Sequence, residues 1–199
     1  MKNYSAKKQI IVFVIALLLL WAANHFFSDD GSRNAPKKST VSEKSVNAPS
    51  AKSGESFTVT RVADGDTIYV RDASGRSNKI RLLGIDAPET KMAYGKQSQQ
   101  ALKKILDAAG KKVQVIYTKQ DIYDRILGKV IADGKDVNYE MIKTGNAWYF
   151  KRYAKDVDPE DRKLYEAAEK EARAKKLGLW ADPDPVPPWV WKKANPREN

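Results

Sequence analysis

The sequence predicts an α+β domain dominated by strands: a five-stranded β-barrel with about three α-helices, preceded by an N-terminal hydrophobic segment. Three observations carry this. Five runs between residues 57 and 132 have strand character, helical patterns are inserted after the third and the fifth of them, and a longer helix with clear start and stop signals follows.

Residues 57–62, FTVTRV, alternate in polarity; ADGDT supplies an Asp-Gly turn and IYV resumes the strand, so residues 57–70 form a hairpin. NKIRLLGI, residues 78–85, is the third strand and ends at the turn of Asp86. A period of two places Arg81, Leu83 and Ile85 on one of its faces, with Leu82 and Gly84 on the other. KQSQQALKKILDAAG, residues 96–110, carries Ala101, Leu102, Ile105, Leu106 and Ala109 at helical spacing and stops at Gly110. KVQVIYT and ILGKVIA are strands four and five, and ADGKDVNYEMIKTG is a turn and a short helix ending at Gly145. In residues 158–178 Asp158 is the N-cap, Pro159 opens the helix, acids fill the first turn, Lys175 and Lys176 fill the last and Gly178 closes it. The proline-rich tail after Trp180 is expected to lie extended on the surface, where its tryptophans can dock. Strands and helices in this order suit a barrel of the oligonucleotide/oligosaccharide-binding kind, an OB-fold.

Domain organisation follows from composition: residues 1–27 as signal peptide or membrane anchor, 28–55 as a disordered linker, 56–182 as the barrel domain and 183–199 as the tail. Lys2, Lys7 and Lys8 precede an uncharged apolar run at residues 10–23, which as a helix is about 21 Å long against a hydrocarbon core of about 30 Å. Trp21 occupies the place where cleavage after Ala23 would want a small residue, which favours a retained anchor. The basic flank predicts export of everything after residue 28, hence an extracellular or cell-envelope location. The linker has no aromatic residue and is rich in Ser, Lys, Ala, Asn and Pro.

The 199 residues contain no cysteine and one histidine, His25, which lies in the apolar N-terminal region. Disulfides, thiolate sites, Ser-His triads and histidine-rich zinc sites are thereby excluded, leaving carboxylate, arginine and lysine chemistry. The formal charge is +11; residues 1–55 hold eight Lys/Arg against four acids, a net +4, so the rest carries +7. A solvated lysine face and a polyanionic partner account for this equally well.

Within the barrel region DGDT holds Asp66, and IRLLGIDAPET holds Arg81, Asp86 and Glu89. Taken singly, Asp66 caps or solvates a turn, Asp86 before Ala-Pro makes an Asx turn and Glu89 is a loop acid. Arg81 on a face with Leu and Ile calls for an anionic partner. Together they suit a different chemistry: Asp66, Asp86 and the Ala87 carbonyl as oxygen ligands of a hard divalent ion, Glu89 beside a water, and Arg81 as a fork for phosphate oxygens. Such a set stabilises the charge that builds up when water attacks a phosphodiester.

DGDT, RLLGIDAPET, DIYDR, the Gly-Asn-Ala-Trp-Tyr stretch and EAAEKEARAKKLGLW, in that order, resemble the staphylococcal nuclease (thermonuclease) family over residues 57–182. The resemblance implies a five-stranded barrel with three helices and a Ca2+-dependent, sugar-nonspecific nuclease, a thermonuclease-like endonuclease cutting DNA and RNA to 3′-phosphates. It places Asp66, Asp86 and the carbonyl of Ala87 on the metal, Glu89 as general base or orienter of the water, Arg81 and Arg125 on the phosphate, with Arg125 also beside the leaving 5′-oxygen, and Tyr123 and Tyr153 along the nucleotide. Gly145 and Trp180 match positions that look structural. The chain departs from the family at Ala87, where threonine is common, at Ile122, where a basic residue can stand, and at Asp124, a glycine in many members, whose charge beside Arg125 is expected to weaken the phosphate clamp. DNA and RNA are the expected partners, with the membrane as a further one if the N-terminal segment is uncleaved, and the protein is expected to be monomeric. The alternatives are a non-catalytic nucleic-acid-binding OB-fold domain and an envelope module binding anionic wall polymers.

Overall fold

The computed structural model describes residues 54–196; the hydrophobic segment and nearly all of the linker lie outside the described residues. In chain order the elements are β1 (Glu55–Val62), β2 (Thr67–Arg71), β3 (Ser77–Leu82), β4 (Ile85–Asp86), α1 (Gly95–Ala108), β5 (Lys112–Gln120), β6 (Ile126–Ala132), β7 (Lys135–Asp136), α2 (Val137–Lys143), β8 (Trp148–Tyr149), α3 (Pro159–Ala174) and α4 (Pro188–Ala194). Short 3-10 turns occupy Lys151–Asp156 and Gly178–Ala181.

Five strands close a barrel. Their order is β3-β2-β1-β5-β6, and β6 returns to β3 in parallel with Ile80 opposite Ile126 and Leu82 opposite Gly128. Closure leaves little free edge. The alternation read in the sequence is the inward face: Phe57, Val59, Ile68, Val70, Ile80, Leu82, Val115, Ile126 and Val130 are buried, joined by Leu102 and Leu106 of α1, Met141 and Ile142 of α2 and Tyr165 of α3. Asp158 caps α3 by accepting the Glu160 N–H at 3.0 Å, and Pro159 opens the helix, as the sequence requires. At the far end Gly145 adopts φ +70, and a Cβ there would stand 2.1 Å from the Leu177 carbonyl oxygen, so this position is structural.

The structure corrects the reading of the third strand. Residues 78–85 are not one strand: β3 ends at Leu82, and Gly84 turns the chain at φ +77. Ile85 and Asp86 then pair with Tyr149 and Trp148 of β8 in a second, two-stranded sheet. Period-two bookkeeping fails across that turn, so Leu82 and Ile85, assigned to opposite faces, are both in the core. Asn138 of α2 holds the break in place. Its side chain accepts the Val130 N–H at 3.1 Å and donates to the Leu83 carbonyl at 2.8 Å and the Gly128 carbonyl at 3.2 Å, while fully buried. Asn138→Ala should cost about 1–3 kcal/mol, because three buried backbone groups lose a partner; the midpoint of a urea unfolding curve measures it, and an unchanged midpoint would remove Asn138 from this role.

A second correction concerns the tail. It is not extended throughout: Pro188–Ala194 form α4. The indole of Trp189 stacks on Phe150 with centroids 5.2 Å apart and meets Trp148 edge-on at 5.4 Å. Among the described residues no helix is long and apolar enough to cross a membrane.

Candidate active site

Asp66 comes out of the β1–β2 turn. Its N–H donates to Asp64 Oδ1 at 3.0 Å, its Oδ1 accepts from the Thr67 hydroxyl at 2.9 Å, and its Oδ2 accepts the Ala87 N–H at 2.7 Å, which bridges 21 residues of sequence. That last bond draws the hairpin turn onto the end of β4, where Asp86 sits. Arg81, on β3 opposite Thr67, completes the join. Its Nη1 lies 2.9 Å from Asp66 Oδ2 and its Nη2 2.7 Å from Asp86 Oδ1. One guanidinium therefore spans two carboxylates from separate elements. The anionic partner that the sequence demanded for Arg81 is this pair.

Helix α1 backs the cluster. A Cβ on Gly65 would fall 1.8 Å from Ser98 Oγ, and one on Gly95 would fall 1.9 Å from the Glu89 carbonyl oxygen. Its first turn thus presses on both the Asp66 turn and the Glu89 loop. Ser98 is fully buried and donates to the Asn146 carbonyl at 2.7 Å. In the loop, Met92 N–H donates to the Glu89 carbonyl and Gly95 N–H to the Met92 carbonyl, at 2.8 and 3.1 Å.

The electrostatics follow from burial. Burial alone pushes the Asp66 carboxyl up, but Arg81 and then Lys192 beside it, with the Ala87 N–H, hold it below its ordinary value. The Asp86 carboxyl is raised, chiefly by burial, against the pull of Arg81. Asp64 is pushed up to about 7 by burial and by the neighbouring charge of Asp66. Three carboxyls of unequal proton affinity thus share one rim.

The oxygens of Asp66 and Asp86 suit a hard divalent cation, which takes carboxylate, carbonyl and water ligands. Among the described residues no three acidic or histidine side chains form a ready cage. Main-chain and water oxygens would therefore complete such an ion's shell; Ala87 follows Asp86 in the chain and its N–H is on Asp66 Oδ2. Glu89 is half-buried at the same rim, where its Oε1 lies 3.1 Å from Lys192 Nζ in an ion pair.

Arg125, Tyr123 and Tyr153 are not in contact with this cluster. Arg125 is held inside its own loop, with Nε and Nη2 on Asp121 Oδ2 at 2.7 and 2.6 Å and its backbone N–H on Asp121 Oδ1 at 3.0 Å. Asp124, the residue expected to weaken this arginine, has the left-handed φ of +56 that aspartate tolerates. Asp121 is the acid that claims the guanidinium. Tyr123 is 72% exposed near Arg125, whose guanidinium carbon lies 5.6 Å from the ring centroid, and Ile122 is 89% exposed. Tyr153 meets Phe150 edge-on at 5.3 Å, and Phe150 in turn carries Trp189. Lys119 links the two regions through Asp156 at 2.8 Å.

Sequence reasoning missed Asp64, Asp121 and Lys192. The doublet of acids in DGD was a legible hint of Asp64; Asp121 and Arg125 lie in a turn between strands, where i, i+4 spacing, a helix signal, does not announce their pairing. Nothing in the sequence signals Lys192, 106 residues from Asp86.

Comparisons with known proteins give a consistent result. Residues 79–182 match the family model described as staphylococcal nuclease homologue. A protein of Escherichia coli named "Uncharacterized endonuclease" is 47% identical over 135 residues, covering 67% of this chain and 82% of that protein. One of the same name from Haemophilus influenzae is 36% identical over 135 residues, covering 68% of this chain and 71% of the other. A "Micrococcal nuclease" of Shigella flexneri is 38% identical over 146 residues, covering 69% and 80%.

Proposed function

Because the chain belongs to the staphylococcal nuclease family and is a nuclease, we propose that it is Ca2+-dependent, cuts both DNA and RNA, and leaves 3′-phosphates. The observation that carries the reading is the Arg81 guanidinium shared by Asp66 and Asp86 with Glu89 at the same rim. That arrangement supplies paired oxygen ligands, a carboxylate for water and fixed positive charge within one small site.

In this reading Asp66, Asp86 and the Ala87 carbonyl hold the ion. When bound, the cation supplies positive charge against the negative charge that develops on the phosphate. Glu89 accepts a proton from the attacking water, or orients it, as the new P–O bond forms. Arg81 donates its remaining N–H groups to a non-bridging phosphate oxygen and so stabilises the crowded, doubly charged transition state more than the substrate. Arg125 keeps Nη1 for the phosphate and the 5′-oxygen, which leaves as the P–O5′ bond breaks and ends as a hydroxyl. Tyr123 and Tyr153 offer accessible rings to bases of any identity, and contacts limited to phosphate and stacking leave the sugar unread. Export through the basic-flanked apolar run at residues 10–23 is part of the same proposal.

The test is cleavage of DNA and RNA by the protein with Ca2+, with chelator, and with Ca2+ restored. Cleavage that chelator abolishes and Ca2+ restores is expected, with end-labelled products carrying 3′-phosphate. Cleavage indifferent to chelator would overturn the cation dependence. Salt-sensitive binding without cleavage would favour the non-catalytic binding domain instead.

A further inference from the structure

Resting on the reading that a divalent cation binds at Asp66 and Asp86, we propose that α4 is a tethered plug: Lys192 occupies the cation's side of Asp86 and must withdraw for the ion to bind. The ammonium lies 2.9 Å from Asp86 Oδ1 and 3.1 Å from Glu89 Oε1, so it already collects two carboxylates assigned to metal and water. A calcium ion approaches its oxygen ligands to about 2.3–2.6 Å. Asp86 Oδ1 already accepts Arg81 Nη2 at 2.7 Å, so Lys192 is a second cation on that atom and, with its hold on Glu89, leaves the ion little of the charge the two carboxylates carry. A lysine ammonium ordinarily stays charged well above neutral pH, so the competitor is a cation.

The way α4 is held makes it displaceable. It has seven residues and no side-chain cap at its start. Among the described residues, the hydrogen bonds joining residues 183–196 to the rest of the protein are that of Lys192 to Asp86 and a local one, from the Asp184 N–H to Asp182 Oδ1 at the base of the tether. The apolar anchors lie at its start, the buried Pro188 and the Trp189 ring against Phe150 and Trp148. Upstream, Leu179 and Trp180 are buried in the cluster with Trp148, and the connection from there to α4 carries Pro183, Pro185 and Pro187. A short, proline-stiffened tether keeps the ammonium at high effective concentration beside the site. The helix is thus attached firmly at its base and lightly at its tip.

Competition of this kind weakens apparent affinity by the fraction of time the site is free, so a helix docked nine-tenths of the time lowers it about tenfold. The experiment is calorimetric titration of Ca2+ into the full chain, at constant ionic strength, for wild type, Lys192→Met, Trp189→Ala and Lys193→Met, with far-UV circular dichroism checking that each variant folds. Lys192→Met and Trp189→Ala should each bind Ca2+ about tenfold more tightly than wild type. Trp189→Ala keeps the charge and only loosens the helix, whereas Lys193→Met removes a charge of the same helix that makes no contact with the cluster and should bind like wild type. Ca2+ should also shift the tryptophan emission of wild type to the red as Trp189 leaves its stack, a change absent from Trp189→Ala. Equal affinity in all four proteins overturns the plug and leaves the nuclease reading standing, as does equal tightening by Lys193→Met, which reports charge alone. Weaker binding by Lys192→Met overturns it too, making Lys192 a residue that gathers the carboxylates for the ion. Absence of Ca2+ binding in every protein overturns the plug together with the proposed cation dependence.

Discussion

Glu89→Gln should lower kcat by about 10²–10⁴-fold, the range that removal of a positioned general base produces, while leaving the folded protein unchanged. The substitution keeps the shape and one oxygen of the side chain but removes its charge, and with it both the capacity to take a proton and the ion pair with Lys192. Glu89 supports little of the fold: its side chain is half-buried, and the loop it belongs to is held by the backbone bonds from Met92 to Glu89 and from Gly95 to Met92. Single-turnover cleavage at saturating Ca2+ and substrate separates this loss from any change in binding. A drop confined to kcat, with KM and the unfolding temperature held, is the expected result. A wild-type rate would take Glu89 out of the chemistry.

Arg81→Met should destabilise the protein by about 3–5 kcal/mol, the cost of leaving buried charges without their partner. Two carboxylates lose their shared cation in one substitution, and methionine of similar length fills the space without offering a donor. Measured in chelator, the difference from wild type should depend on pH. In wild type, burial alone raises the Asp66 carboxyl, but the charge of Arg81 brings its value below the unfolded 3.8. The stability it contributes is present above that value and is lost as pH falls through the lower folded one. Without Arg81 the burial of Asp66 is opposed only by Lys192, the Ala87 N–H and Asp64, so its folded value moves up and the stability that its ionised form contributes shrinks. The gap between the two proteins is therefore widest near neutrality and narrows below about pH 4. Arg81→Lys should fall between them, since one ammonium cannot span both aspartates as a planar fork does. A loss under about 1 kcal/mol at neutral pH, on the scale of an exposed ion pair, would show that the guanidinium does not hold the cluster together.

The correspondence between sequence and structure is uneven in an instructive way. The helix at 159–174 was legible because its starting signals are local, the cap, the N1 proline and the acids of the first turn; its stop was misplaced, since the helix ends at Ala174 and Lys176, at φ +52, makes the left-handed turn ahead of Gly178. The hairpin at 55–71 and strands β5 and β6 were legible for the same reason, since a period of two needs only neighbours. Strand three was misread at Gly84 because one left-handed residue re-aims the chain and side-chain parity restarts on its far side. The tail was misread because α4 has weak local signals and is stabilised by Trp189 on Phe150, a contact between segments some forty residues apart in sequence.

What the sequence determined by itself was the class of chemistry and the residue types that can perform it. With no cysteine and a lone histidine, only carboxylates and basic groups remained, and their identities and order mark the family. What only the tertiary structure decided was which of those charges face each other: Arg81 between Asp66 and Asp86, Asp121 on Arg125, and Lys192 reaching back over the acids from the far end of the chain. The reason is physical. Residue type and spacing act through bonds and nearest neighbours, whereas the energy of an ion pair depends on distance and burial, which are fixed only when the barrel closes and its helices pack.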